Sequence, residues 1–162
     1  MSEYITPVPT PAYDAKAPEV CREIYGMPMF VIAATADLEA SKDFWLRGLG
    51  FIDLFTVPGQ MTHVRRWAFQ DVLLVPGEPA AQPGAQVSFS CVLSQIDEIA
   101  EACERLLPGS VSGPVEQFWG SIELTVSTPE GIRVVMTAAQ PLDPNSERAD
   151  LLRTQGYEIP RG

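Results

Sequence analysis

Apolar and polar positions along the chain follow one order twice. An apolar run of strand length leads into an amphipathic stretch at helical spacing, and alternating runs closed by short turns come next. The first statement opens at residues 27–51 (MPMFVIAATADLEASKDFWLRGLGF) and the second at 86–109 (QVSFSCVLSQIDEIAEACERLLPG). Each reads as a βαβββ unit, too small to bury a good core alone, with an open sheet edge and a one-sided apolar face. Pairing two units answers both problems. The pattern therefore predicts an α+β fold in which two βαβββ modules pair their sheets around a concave ligand cavity.

Residues 1–26 carry Pro7, Pro9, Pro11 and Pro18, which exclude a long helix and predict an arm, loose or extended along a neighbouring surface. The first module is expected over 27–76. Its first strand, about 28–34, is nearly all apolar, as when both faces are covered. Asp37 suits a helix N-cap, Glu39 the positive helix end, and Leu38, Trp45 and Leu49 share one side before Gly48 and Gly50 stop the helix. Strands are expected at 51–57, 61–69 and 72–75, with turns at Pro58-Gly59 and Gln70-Asp71. Residues 77–85 read as a linker and 86–138 as the second module. There Ser94 and Asp97 resemble a capping box, and Ile96, Ile99, Ala100, Cys103 and Leu107 form a helical stripe ended by Pro108-Gly109. Strands follow at about 111–118, 121–127 and 132–137, the last after a Thr128-Pro129-Glu130-Gly131 turn. A tail over 139–162 holds one short helix around 147–154.

Composition then limits the partners. A chain of 162 residues fits one domain or two fused repeats. The net charge of −10 repels phosphate backbones and anionic membranes, excludes nucleic acid as a natural partner, and attracts a cationic small molecule. The same acidity also serves solubility alone. Cys21, Cys91 and Cys103 form no C-x-x-C pair, and the last two read as small core residues. The start, MSEYITPVPTP, lacks signal-peptide regions, and no apolar run reaches the roughly 18 residues of a membrane span. A cytoplasmic location is the expectation.

The two copies resemble the vicinal oxygen chelate superfamily of glyoxalases, extradiol dioxygenases and bleomycin-resistance proteins. The resemblance rests on Ala36-Asp37-Leu38-Glu39, Phe44-Trp45 and Leu49-Gly50-Phe51, and on Ile96-Asp97-Glu98-Ile99 with the Thr-Pro-Glu-Gly turn. It covers about 27–138. Members that use a metal carry histidine, glutamine or glutamate at the start of the first strand of each copy, and glutamate in the last strand. Here those positions hold Phe30, about Val87, and Val135, and the first-copy equivalent of the last falls in apolar residues 72–75. None can ligate a divalent ion. No metal and no cofactor are expected. A set drawn from His63, Glu116 and Glu123 is the remaining route to a metal.

The metal-free branch it is most similar to is the bleomycin-resistance type, small acidic dimers that sequester an antibiotic. Ser112-Gly113-Pro114 followed by Phe118-Trp119-Gly120 matches a tryptophan-glycine pair that in that family stacks on planar parts of the drug. The candidate ligand-binding residues are Phe30, Trp67, Phe69, Phe89, Phe118, Trp119 and Glu123. Trp67 and Phe69 are read as alternating on one strand, and Phe30 and Phe89 as inward-facing strand positions. Each aromatic has core filling as its plainer role, and Trp45 reads as core outright. Glu123 and His63 are candidate acid–base groups, against ordinary solvated alternatives. Arg65-Arg66 could hold an anion, although neighbours in a strand point to opposite faces, so at most one lines the cavity. The favoured reading is a metal-independent homodimeric protein that binds and sequesters a hydrophobic or aromatic natural product. The alternative is a metal-independent isomerase, cyclase or lyase.

Overall fold

The computed structural model describes residues 7–23, 25, 27, 29–79 and 86–161. Its elements run β1 (Val31–Thr35), α1 (Leu38–Arg47), β2 (Ile52–Val57), β3 (Met61–Arg66) and β4 (Gln70–Pro76), then β5 (Val87–Cys91), α2 (Ile96–Leu106), β6 (Val111–Gln117), β7 (Ser121–Ser127) and β8 (Arg133–Ala139). A last helix, α3, spans Glu147–Thr154, where the sequence places one. The repeated βαβββ order is present in full. Each module folds one four-stranded sheet, β1-β4-β3-β2 and β5-β8-β7-β6, with the first and last strands parallel and the others antiparallel.

Local chemistry explains α1. Asp37 is extended, and its carboxylate accepts the Ala40 N–H at 3.0 Å, satisfying one of the donors a helix start leaves free. The second helix starts differently from the capping box expected at Ser94. A 3-10 turn over Leu93–Gln95 precedes α2, and the Gln95 side chain accepts the Val92 N–H at 3.2 Å. The side chain that closes this turn lies one residue beyond Ser94.

One face of each sheet enters a single shared core. Val64, Val72 and Leu74 from the first sheet join Phe89, Leu124, Val126, Val134 and Met136 from the second, around Phe44, Trp45 and Leu49 of the first module and Ile96, Ile99 and Cys103 of α2. Trp45 is fully buried, meeting Phe51 edge-on at 4.9 Å between centroids and Phe89 at 6.0 Å. Two polar side chains tie the modules together. Glu130, buried in the turn before β8, accepts Trp45 Nε1–H at 2.6 Å and Ser41 Oγ–H at 2.9 Å. Arg66, also buried, donates to the Leu49 carbonyl (2.9 Å), the Ser90 carbonyl (3.1 Å) and Gln95 Oε1 (2.7 Å). Desolvation lowers its pKa, and carbonyl and amide oxygens on three segments hold it in place. Gly50, at φ +75°, is needed beside it: a Cβ there would lie 2.6 Å from Arg66 Nη1.

Four local expectations are corrected. The strand expected over 61–69 ends at Arg66, and Gln70 and Asp71 belong to β4. The turn is Trp67-Ala68-Phe69, in which Trp67 (φ 52°) and Phe69 (φ 62°) take left-handed backbone that bulky residues seldom adopt. Trp67 and Phe69 therefore share no strand face. Phe89 points into the core instead of a cavity, because the buried set on β5 is Phe89 and Cys91, not the intervening serines. The first strand begins at Val31, and it is covered on one face only, since Ile32 is 63% exposed.

Candidate functional site

The face of the first sheet turned away from the core carries the chemistry. Alternation sends Thr62 and Val64 inward, so His63 and Arg65 on β3 face out, beside Phe55 of β2 and Asp71 and Leu73 of β4 in the strand register. Of the adjacent arginines, Arg65 thus takes the open face and Arg66 the core, as strand alternation requires. Asp71, with its side chain wholly buried, gathers its neighbours. Oδ1 accepts His63 Nε2 at 2.6 Å and Arg65 Nε at 2.6 Å, and Oδ2 accepts the Tyr25 hydroxyl at 3.2 Å. With a carboxylate on Nε2, neutral His63 keeps its proton there and leaves the Nδ1 lone pair for another partner.

The proline-rich arm completes the group. Arg65 Nη1 donates to the carbonyls of Cys21 (3.0 Å) and Glu23 (2.8 Å), and the Cys21 N–H donates to the Trp67 carbonyl at 2.8 Å. The Arg65 guanidinium lies 4.0 Å from the centre of the Tyr25 ring, a cation–π contact, and the Phe69 N–H donates to the Tyr25 hydroxyl at 2.7 Å. Burial is the main cause that raises the Tyr25 pKa. Of the two arm conformations the sequence allows, the described residues take the one that lies along the folded body.

Between arm and sheet lies a pocket of about 390 Å³ lined by Arg22, Tyr25, Met27, Leu54, Phe55, His63 and Arg65. Its size falls in the range of small-molecule sites, which run from roughly 300 to 1,000 Å³. A smaller cavity of about 90 Å³ lies where residues 8–15 cross Trp67 and the end of β5. On the second sheet, Glu123 of β7 stands opposite Thr137 and Val115 and accepts Trp119 Nε1–H at 3.0 Å and Ser121 Oγ–H at 2.9 Å. Trp119 is 47% exposed in the β6–β7 turn, and Phe118 is 80% exposed beside it. Both border an opening of about 500 Å³ shared with Arg148, Leu151 and Leu152 at α3.

The sequence candidates therefore separate into groups. Phe30, directly before β1, is half-exposed, and Phe69 packs on Tyr25 at 5.1 Å. Phe118, Trp119 and Glu123 form a second group on the other sheet. Trp67 is buried under the arm, and Phe89 belongs to the core. His63 is the candidate the fold equips most fully. The sequence pattern does not single out its partners, because it places Asp71 in a turn and assigns Tyr25, within the arm, no contacts. The −10 net charge does not extend to the pocket, whose charged lining residues are arginines.

At the positions that the resemblance assigns to metal ligands, Phe30, about Val87 and Val135, the side chains do not fit a metal. Phe30 stands before β1, Val87 opens β5, and Val135 lies in β8, and none of the three side chains offers a donor atom. Among the described residues no three His, Cys, Asp or Glu side chains gather closely enough to hold an ion, so His63, Glu116 and Glu123 do not form a set.

Two βαβββ modules around one core define a modular α+β fold built from a repeated unit. Residues 28–136 match the model of the Glyoxalase/Bleomycin resistance protein/Dioxygenase superfamily, and the chain belongs to that superfamily. Among solved structures it is similar to an integron cassette protein from the mobile metagenome of the Halifax Harbour sewage outfall, at 27% identity and TM-score 0.57, covering 71% of this chain and 99% of that one. It is also similar in fold to the fosfomycin resistance protein FosX of Mesorhizobium loti, at 13% identity and TM-score 0.57, covering 73% and 95%. The lactoylglutathione lyase of Agrobacterium tumefaciens aligns at 19% identity and TM-score 0.50, covering 68% and 91%. A comparison with proteins of curated function gives no match. No helix among the described residues is long and apolar enough to cross a membrane.

Proposed function

We propose that this protein is a metal-independent, cytoplasmic binding protein that sequesters an apolar or aromatic small molecule, in the manner of the bleomycin-resistance branch. The observation that carries the reading is a pocket walled by Met27, Leu54, Phe55 and Tyr25, beside donorless side chains at the positions that the resemblance assigns to metal ligands (Phe30, about Val87, Val135). Apolar walls with a few fixed polar groups bind by burial and orient by hydrogen bond. The protein acts as a homodimer. Ile32 and Phe55 on one open sheet face and Val115 on the other are more than half exposed, and a second copy would cover them. Titration with candidate natural products, followed by mass spectrometry of the recovered compound, tests the reading; a chemically altered ligand refutes it.

One observation favours a second reading, a metal-independent isomerase, cyclase or lyase. An imidazole aligned by a buried carboxylate and bordering an apolar pocket is equipped for proton transfer. Glu123, held by Trp119 and Ser121 on the other sheet, is the second candidate base. Turnover that survives alanine at both His63 and Glu123 would exclude these two residues as its acid–base groups.

A further inference from the structure

We infer that the pocket under the arm is a carboxylate site: it takes an organic acid whose oxyanion meets Arg22 and whose apolar body lies on Met27, Leu54 and Phe55. The inference rests on the small-molecule-binding reading and specifies the ligand's charge. Three observations support it. No carboxylate side chain lines the pocket, whereas Arg22, Arg65 and His63 do. The acid bonded to this lining, Asp71, is buried and already paired with Arg65 at 2.6 Å, so it does not offset the charge of Arg22. Finally, the fold spends a buried guanidinium on placing Arg22. Arg65 Nη1 holds the carbonyls of Cys21 and Glu23, the residues on either side of Arg22.

That last arrangement matters because Arg22 is exposed, and a free arm would let its side chain range through solvent. Two charge-assisted hydrogen bonds to the flanking carbonyls fix the backbone from which Arg22 reaches the pocket. Preorganised donors around a half-enclosed, apolar-walled space strengthen an ion pair relative to one in open water. A cationic ligand, which the net charge favours at long range, would meet like charge here.

Three probes of one shape test the inference: 2-naphthoate, 2-naphthamide and 2-naphthylmethylamine, titrated into the full chain at neutral pH by fluorescence and ligand-observed NMR. Naphthoate is expected to bind at least about tenfold more tightly than the amide, with the amine weakest and naphthoate affinity falling as salt rises. Arg22→Gln should bring naphthoate to the level of the amide while leaving the amide unchanged. The exposed Arg105→Gln, on α2, should alter neither. Acid and amide binding equally would overturn the carboxylate site yet leave the small-molecule-binding reading standing. Preferred binding of the amine, or naphthoate affinity unmoved in Arg22→Gln, would also overturn it. If none of the three binds at millimolar concentration, the inference fails, and the natural-product titration then decides the broader reading.

Discussion

Replacing Glu130 tests whether the two modules are welded by chemistry or only by contact. The carboxylate sits in the turn before β8 and accepts hydrogen bonds from Trp45 Nε1 and Ser41 Oγ, both on α1 of the other module. Glu130→Ala leaves two buried donors behind. A buried donor without an acceptor costs about 1–3 kcal/mol. The indole N–H, on a ring with no solvent exposure, falls at the upper end. Ser41 falls at the lower end, because its hydroxyl keeps a 2.7 Å bond with Thr35 Oγ1. Removing a buried carboxylate returns part of this cost, so the net loss should be about 2–4 kcal/mol. For a chain of this size that corresponds to a Tm lower by about 5–15 °C. Glu130→Gln keeps one oxygen for the indole, and the serine hydroxyl can turn to accept from the amide, so its loss should be about 1 kcal/mol. Urea unfolding followed by tryptophan fluorescence and far-UV circular dichroism reads these differences. A cycle with Trp45→Phe should give a coupling of about 1–2 kcal/mol. An alanine variant within about 0.5 kcal/mol of the parent, or glutamine as costly as alanine, would refute the reasoning.

Trp45→Ala should cost about 3–5 kcal/mol through a core cavity, whereas Trp119→Ala, half-exposed, should cost under about 1 kcal/mol. If Trp119 contacts the ligand, its loss should weaken binding by about 1–3 kcal/mol, read by titration calorimetry. Burial pushes the Cys91 thiol up to about 11 and Cys103 up to about 12, so at pH 8 a thiol reagent should label Cys21 quickly and the other two only on unfolding. Because those two pKa values are raised on folding, stability should be level below the ordinary thiol value near 9 and fall as pH climbs from there towards 11–12. Denaturant midpoints across that window check the sign. Tyr25→Phe removes the hydroxyl that bonds Asp71 and the Phe69 N–H, and should quicken limited proteolysis of the arm with the core left intact.

Periodicity carried the architecture. The Ile96-Ile99-Cys103 stripe, the Asp37 cap and the order of the strands are local signals, and each agrees with the folded chain. The polar group on the first sheet was less accessible for a physical reason. A three-residue turn at Trp67-Ala68-Phe69 needs positive φ at two aromatic residues, and nothing in their chemistry announces it. Moving that turn by three positions carries Asp71 from a loop into β4, directly opposite Arg65. Tyr25 reaches the same carboxylate from 46 residues away, a contact only the tertiary path of the arm creates. Phe89 shows the related problem of strand phase: a strand with both aromatic and small residues does not say which set faces the core, and one residue of phase exchanges the faces. Trp119 and Glu123, by contrast, stand out separately in the sequence, as an aromatic before a glycine and a carboxylate within an apolar strand, and only the fold bonds them to one another.

Arg66 gives the internal duplication a practical meaning. Its one guanidinium is shared between the end of the first helix segment, the last residues of β5 and the turn that starts α2. A fragment cut within the linker would keep the arginine on one piece and two of its acceptors on the other, with Trp45 and Glu130 divided in the same way. Neither piece could satisfy its own interior, and each would present the other's missing half. The molecule is in this sense already a split protein whose fragments are held in register by two buried polar clasps, and fragment complementation could be built on them.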